Sequence, residues 1–430
     1  MDTSSEKSIQ PVRAVKGTRD LLPRDTALWQ MIEDEVRRTF GAYRLGEIRT
    51  PVIEPTLLFA RSVGEDTDIV SKEMYTFLDR SEESITLRPE ATASVVRAYI
   101  EHSLFNEGSV QKLYYVGPMF RRDRPQKGRY RQFYQIGAEV IGSSHPAVDV
   151  EVLEMLALFL RRVGLQDFTL LINSVGDKNC RPQYLNALRE ALSGVKAQMC
   201  GDCQRRADTN PLRVLDCKVP GDQPIIERLP RIVDHLDAEC RAHFDSVLAG
   251  LRARDLPYEV TPRLVRGLDY YTRTTFEITS GVLGAQNSIL GGGRYDGLSE
   301  MLGGPPAPGI GFAIGEDRLV LAVEAAGTFK PEHPLTAYVA WLGEEAGSAA
   351  ARLARELRAQ GITVEIGYET AKLKKSLGNA SRLGACFAVI IGEGELASGL
   401  YQVKDLSSGR QEGVEPARLA EYLTQRTTTV

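Results

Sequence analysis

Two strand-like stretches, Lys112–Val116 with Met119–Arg121 and then Gln132–Ile141, enclose a loop that carries Pro125 and Gly128. A parallel pair needs a crossover of about a dozen residues or more, usually a helix. Proline and glycine break a helix here, so the spacing predicts an antiparallel hairpin and an antiparallel sheet around it. The loop, Arg121–Arg131, reads RRDRPQKGRYR and holds six cations against one acid. Guanidinium forks match phosphate oxygens bidentately, and the flanking Phe120 and Phe133 offer ring faces on which a base can stack. The hairpin therefore reads as an anion site, with a solvated tip as the plain alternative. After the loop, Gln135 and Glu139 alternate with apolar neighbours and share one strand face with Phe133 and Arg131. A glutamate above a sheet-floored cleft points to a cationic or N–H-bearing ligand; an exposed sheet face is the alternative.

Charge narrows the function classes. The 430 residues carry 53 Lys+Arg against 57 Asp+Glu, a net charge of −4. Such a chain does not coat nucleic acid non-specifically, but a local basic patch can still hold RNA. No apolar run approaches the ~18 residues of a membrane span, and the first residues show no apolar signal segment, so a cytoplasmic protein is expected. Six cysteines in this length are not a disulfide scaffold.

Periodicity gives the organisation. Leu28, Ile32, Val36 and Phe40 repeat near 3.6, a helix. Glu47–Ile53 reads as a strand made irregular by Pro51. Met74–Leu78 and Ser84–Leu87 read as a hairpin, Ala91–Phe105 and Glu151–Val163 as helices, and Phe168–Ile172 as a strand. Residues 177–260 are charged and helix-rich and hold five of the six cysteines, which marks an insertion. Strands return at Val260–Leu264, Thr274–Thr279, Gly291–Gly293 and Gly309–Ile314, the last leading into a helix. Two prolines in 329–334 mark a linker. Beyond it, strand and helix alternate: Thr336–Leu342, Ala346–Gln360, Thr363–Ile366, Leu373–Leu383, Phe387–Ile391 and Tyr401–Leu406. The expected architecture is an α+β core at 1–328 on an antiparallel sheet with a helical insertion. A small α/β domain with a mostly parallel sheet follows at 335–430.

A second cluster lies at Arg266–Tyr271 (RGLDYY) and Gly291–Gly297 (GGGRYDG). Glycines allow close backbone approach to a ligand, and tyrosines bring hydroxyl donors into a partly dry pocket. Hairpin turns with stray tyrosines are the alternative. There is no GxxxxGK[ST], and Gly309–Gly315 lacks the GxGxxG spacing and a preceding βαβ opening. A bound nucleotide would thus be held by arginines over an antiparallel sheet.

The stretches Leu87–Ala93 (LRPEATA), Gly117–Glu139, Val265–Glu277 (VRGLDYYTRTTFE), Gly291–Leu298 (GGGRYDGL) and Gly309–Leu319 resemble the histidyl-tRNA synthetase family in order and spacing. They are similar to the class II signature motifs plus two histidine-specific ones. The resemblance implies a six-stranded antiparallel catalytic sheet, a homodimer and a C-terminal anticodon-binding domain. It implies the substrates L-histidine, ATP with its Mg2+, and tRNA(His). The regulatory subunit of ATP phosphoribosyltransferase is similar to this catalytic fold, but it lacks the C-terminal domain and the arginine-rich motif, both present here.

By the same resemblance, Arg121 and Arg266 grip the α-phosphate and are the catalytic pair. Arg318 holds the triphosphate tail and Phe133 stacks on adenine. Asp123 stands where the class commonly has a glutamate contacting the adenine amine, so the shorter side chain weakens that contact. Glu90, Thr92 and Gln135 receive the α-ammonium of histidine. Glu139 and Tyr271 bracket the imidazole, lined by Tyr270 and Tyr295. Ala91 replaces a common glycine and shifts a backbone contact. A neutral imidazole offers one donor and one acceptor, so a carboxylate and a hydroxyl on its two nitrogens reject side chains lacking that pair. Arg124, Gln126 and Lys127 are expected on the tRNA acceptor stem. Lys372, Lys374, Lys375 and Arg382 either touch the anticodon stem or form a solvated helix face. Cys200, Cys203 and Cys217 lack a fourth cysteine or histidine at suitable spacing. No structural metal is therefore expected, since structural zinc takes four ligands.

Overall fold

The computed structural model describes residues 11–64, 67, 69–126, 128–266, 268, 270–284, 287–329, 335–368 and 372–427. The chain divides into two compact units, Met1–Phe329 and Lys330–Val430.

The first unit is built on eleven strands: β1 (Gly46–Glu47), β2 (Ile53–Pro55), β3 (Tyr75–Leu78), β4 (Ser84–Leu87), β5 (Gln111–Phe120), β6 (Gln132–Ile141), β7 (Thr169–Ser174), β8 (Glu259–Val260), β9 (Thr272–Thr279), β10 (Ser288–Arg294) and β11 (Gly309–Gly315). Eight of them form one sheet in the order β1-β5-β6-β11-β10-β9-β7-β8. The six central strands are antiparallel throughout, and only the two-residue edges β1 and β8 pair in parallel. The hairpin β5–β6 runs unbroken from Gln111↔Ile141 to Phe120↔Gln132. The two strand pieces read before the basic loop are thus one ten-residue strand through Gly117 and Pro118.

The core lies on the sheet face covered by the helices Pro23–Ala42 and Pro146–Arg162. Phe40 meets Tyr114, Phe159 and Phe312 edge-on at ring centroids of 5.8, 5.5 and 5.8 Å, so one aromatic ties two helices to two strands. The opposite face carries a second apolar cluster around Tyr115, Met119 and Ile141 and is open beside it, where Gly291, Gly311 and Gly315 line the site. The helix-rich stretch between β7 and β8 is as expected, and its last helix, Ala238–Arg252, packs Phe244, Val247 and Leu251 into the main core.

Several local expectations need correction. Glu47–Ile53 is not one strand: Pro51 cannot donate to a ladder, and the chain passes there from β1 to β2, which belong to different sheets. Val260–Leu264 shrinks to β8 because Pro262 follows. Arg131 lies outside β6, and its side chain packs against Gly17 rather than sharing a face with Glu139.

The second unit holds β12 (Ala337–Trp341), β13 (Val364–Ile366), β14 (Phe387–Ile391), β15 (Tyr401–Asp405) and β16 (Gln411–Val414), in the order β13-β12-β14-β15-β16. Its sheet is mixed rather than mostly parallel, because β15 and β16 form an antiparallel hairpin. The Asp405 carboxylate organises that turn by accepting from the backbone N–H of Ser407 and Ser408 at 2.8 and 3.1 Å. Among the described residues no helix is long and apolar enough to cross a membrane.

Candidate active site

Two cavities adjoin on the open face of the large sheet. One, of about 410 Å³, is lined by Arg121, Asp123, Phe133, Arg266 and Arg318, with Glu73, Arg213 and Asp317. The other, of about 130 Å³, is lined by Glu90, Thr92, Gln135, Tyr270, Tyr271 and Tyr295. Arg121, Arg266, Gly291 and Ala313 border both.

Each arginine is aimed by a neighbour. Arg121, one residue past β5, donates from Nε to the Pro89 carbonyl at 2.9 Å and lies over the Phe133 ring at 5.4 Å. Arg266 pairs with Glu277 of β9 at 2.7 Å. It crosses directly above Gly291 of β10, where any Cβ would collide with its guanidinium. Glycine is needed there for the approach, as the GGGR run foreshadowed. The Nε of Arg266 is buried without a hydrogen-bond partner among the described residues, a donor that an anion would satisfy. Arg318 enters from the first turn of the helix Glu316–Ala326, and burial together with nearby Arg129 disfavours its charge. Five arginines on this wall, Arg121, Arg129, Arg213, Arg266 and Arg318, against three acids, Glu73, Asp123 and Asp317, make the larger cavity an anion receptor.

The smaller cavity is acidic and hydroxyl-rich. Glu139 is fully buried on β6; its Oε1 accepts from Thr92 Oγ1 at 2.8 Å and its Oε2 from the Tyr295 hydroxyl at 2.6 Å. Burial pushes its pKa up to about 8, opposed by those two hydrogen bonds and reinforced by Glu90. Gly311 on the adjacent strand leaves room for the carboxylate, since a Cβ there would overlap Oε2. Glu90 accepts from the backbone N–H of Thr92 at 2.7 Å and of Ala93 at 3.0 Å, at the start of the helix Thr92–Glu101. Burial raises its pKa as well. The Gln135 carbonyl oxygen is buried with no hydrogen-bond partner among the described residues and can accept from a cationic ligand. Tyr270 and Tyr271 stack tilted at 4.8 Å, and Tyr295 meets Tyr270 edge-on at 6.0 Å.

Most of the residues named from the sequence converge here. Ala91 and Glu139 are fully buried and stand behind the wall rather than on it. Asp123 is on the wall and pairs with Arg129 at 3.3 Å. Arg124 and Gln126 sit exposed in the loop beyond the cavity, and Lys127 lies outside the described residues. Glu73, Arg213 and the Arg266 partner Glu277 were not singled out. Glu277 stands inside a quoted motif, where strand alternation with Thr275 could have flagged it; Glu73 and Arg213 carry no local signal. Asp317 was also missed: buried, it accepts from Arg19 at 2.7 Å and from the Tyr134 N–H at 3.0 Å, which closes the cavity's lower edge.

Behind the site, Arg294 is wholly buried. It pairs with Asp149 at 2.6 Å and donates to the carbonyls of Ser143 and His145 at 3.0 and 3.2 Å. This network locks the turn that presents Tyr295.

A family model described as histidyl-tRNA synthetase matches residues 17–319, and one described as an anticodon binding domain matches 336–426. A histidine–tRNA ligase of Koribacter versatilis is 62% identical over 425 residues, covering 96% of each chain. One of Solibacter usitatus is 59% identical over 401 residues, 93% of this chain and 96% of its own. The crystal structure of apo histidyl-tRNA synthetase from S. aureus superposes with a TM-score of 0.81 at 41% identity, covering 96% of this chain and 100% of that one. An arginine-lined cavity beside a buried glutamate, on six antiparallel strands and with these relatives, places the chain in the histidyl-tRNA synthetase family.

Proposed function

We propose that the paired cavities join L-histidine to ATP, release pyrophosphate, and then pass the histidyl group to the 3′ end of tRNA(His). The single observation that carries this reading is that Arg121 and Arg266 border both cavities. A histidine carboxylate and an α-phosphate brought to that shared wall would both face guanidinium groups. The reaction brings two anions together, so charge neutralisation and in-line positioning supply the rate.

In the first step a carboxylate oxygen of histidine attacks the α-phosphorus, and the bond to the β-phosphate oxygen breaks. Arg121 and Arg266 neutralise the crowded oxygens from two sides, and Glu277 steadies Arg266. Arg318 takes the triphosphate tail, and ATP brings its own Mg2+ as part of the substrate. The Phe133 ring and Asp123 form the adenine side. The α-ammonium of histidine is received by Glu90, Thr92 and the unsatisfied Gln135 oxygen. The imidazole lies between Glu139 and the Tyr271 hydroxyl. A site built to pair both ring nitrogens leaves its own buried polar groups unpaired with any other side chain, which can reject analogues by ~10⁴-fold or more. In the second step a terminal ribose hydroxyl of the tRNA attacks the acyl carbon and AMP leaves.

Arg124, Gln126 and Lys127 would meet the acceptor stem. Lys372, Lys374, Lys375 and Arg382, on and just before the helix Leu373–Arg382, would meet the anticodon stem. The chain acts in the cytoplasm as a homodimer. Ile53, Leu57, Phe77 and Leu78 leave 45–66% of their surface exposed around the three-stranded sheet β2-β4-β3, which favours that sheet as the interface. The apolar face of the helix Pro23–Ala42 is already used inside its own core and is not available for it.

The test is histidine-dependent exchange of pyrophosphate into ATP. Robust exchange is expected with L-histidine and with no other proteinogenic amino acid. Absence of exchange in well-folded wild-type protein overturns the reading.

A further inference from the structure

Cys200, Cys203 and Cys217 have no fourth cysteine or histidine near them in the sequence, and the fold brings a carboxylate to that place. Cys200, Cys203, Cys217 and Asp222 bring three sulfurs and a carboxylate oxygen within 4.8 Å of one another. Cys200 immediately precedes the helix Gly201–Thr209, and Cys203 lies in its first turn. Cys217 follows the short turn Pro211–Val214, and Asp222 ends the turn Pro220–Asp222. Four ligands thus come from three separate turns of the insertion.

The spacing suits a metal and rules out a disulfide. Tetrahedral zinc with Zn–S of ~2.3 Å and Zn–O of ~2.1 Å sets S···S edges of ~3.8 Å and S···O edges of ~3.6 Å. The Cys200 and Cys217 sulfurs are 3.9 Å apart, and Cys217 Sγ is 3.3 Å from Asp222 Oδ2. A disulfide would hold the sulfurs at ~2.05 Å. Cys203 is wholly buried and Asp222 is 2% exposed. The described partners of that carboxylate are the Cys200 N–H at 3.0 Å and the three cysteine side chains, and none carries positive charge. The Val219 N–H also points at Cys217 Sγ at 3.4 Å, a donor that suits a thiolate.

We propose that Cys200, Cys203, Cys217 and Asp222 hold one structural zinc ion that staples the insertion. Three soft donors select zinc over magnesium, calcium or manganese, and four protein ligands leave no open position for chemistry. Binding releases the thiol protons to solvent. The stapled stretch carries Arg213, on the wall of the larger cavity, between Cys203 and Cys217. The metal therefore fixes a part of the site that it does not touch. The other cysteine–carboxylate group, Asp177, Cys180, Asp237 and Cys240, differs: it offers two sulfurs rather than three, and Asp177 already faces the Arg273 guanidinium at 3.4 Å. It serves as the control.

The full-length chain is produced in zinc-supplemented medium, washed with a weak chelator, and analysed for metal by mass spectrometry. About one zinc per chain is expected, kept in Cys180→Ser and Cys386→Ser and lost in Cys203→Ser and Asp222→Asn. Because a buried Cys203→Ser chain can fail to fold, wild-type protein is also stripped, reduced and titrated with cobalt(II). Tetrahedral thiolate–cobalt absorption saturating at one equivalent is expected, with zinc displacing it. Zinc removed by the weak chelator, zinc retained at full stoichiometry in folded Cys203→Ser, or no cobalt spectrum in the stripped wild type would each overturn the proposal.

Discussion

Replacing Gly291 with alanine tests the placement of Arg266 without touching any charged group. The added methyl would overlap the guanidinium carbon and both terminal nitrogens of Arg266. Restoring a ~3.5 Å contact requires the guanidinium to move by more than ~1 Å. The strand is held on both sides, by Glu277 of β9 and Ala313 of β11 in register with Gly291, so the arginine moves rather than the backbone. A displacement of ~1 Å at a positioning group costs on the order of 100-fold in rate, or ~2.7 kcal/mol of barrier. Gly315→Ala is the matched control: its methyl would meet Arg318 Cδ at 3.7 Å, an ordinary contact. The assay is histidine-dependent pyrophosphate exchange at saturating substrates, with thermal unfolding to verify folding. Expected are a loss of about 100-fold in kcat for Gly291→Ala and near-wild-type exchange for Gly315→Ala. A folded Gly291→Ala protein within about threefold of wild type, under ~0.7 kcal/mol, would refute the claim that Arg266 acts from this position.

Arg266→Ala should lose at least ~100-fold in exchange, the scale of one deleted transition-state donor; a smaller loss removes it from the catalytic pair. Glu139→Gln should raise KM for histidine and leave KM for ATP unchanged, and an unaltered histidine KM contradicts its role. The same variant has a stability signature. Glu139 keeps its proton up to about 8 when folded, against 4.5 when free. Its contribution is therefore fully present below about 4.5 and lost as pH rises toward 8, by up to ~1.4 kcal/mol per pH unit. Without histidine, Glu139→Gln should gain on wild type in denaturant midpoint from pH 5 to pH 8; parallel curves refute the shift. Arg294→Ala should cost ~3–5 kcal/mol in urea unfolding, because Asp149 is left as a buried, unpaired charge; a loss under ~1 kcal/mol would mean the pair is not what locks the turn. Lys374→Glu with Lys375→Glu should raise KM for tRNA(His) while exchange stays at the wild-type rate, and an unchanged tRNA KM assigns that helix face to solvent.

The hairpin was readable because its signals are local: period-2 alternation, a loop with Pro125 and Gly128, and a concentration of arginine that solubility does not require. The same holds for the glycines of β10, whose run announces close approach. What local reading could not supply is pairing across the sequence. Arg294 and Asp149 are 145 residues apart, and neither position advertises the other. Asp222 is an unremarkable aspartate until three turns of the insertion fold around it. Pro51 was visible, yet whether the chain bends within one sheet or leaves for another depends on which neighbour offers a free edge. The hairpin β15–β16 was half missed because Gln411–Val414 is short and polar, and its partner decides its state. Arg131 was counted on the strand because the charge pattern does not show that the strand begins at Gln132 or that Gly17, far away in sequence, packs against it.

The four positions common to both cavities divide the protein into separately tunable parts. Diversifying Gln135, Tyr270 or Tyr271, which border the smaller cavity and not the larger, should retarget the amino acid while nucleotide handling passes through intact. Altering Arg121, Arg266, Gly291 or Ala313 cannot do so, since each change is felt by both substrates at once. A laboratory search for a ligase charging an unnatural side chain therefore has a natural boundary drawn through the binding wall, and libraries that respect it should yield a higher fraction of active clones.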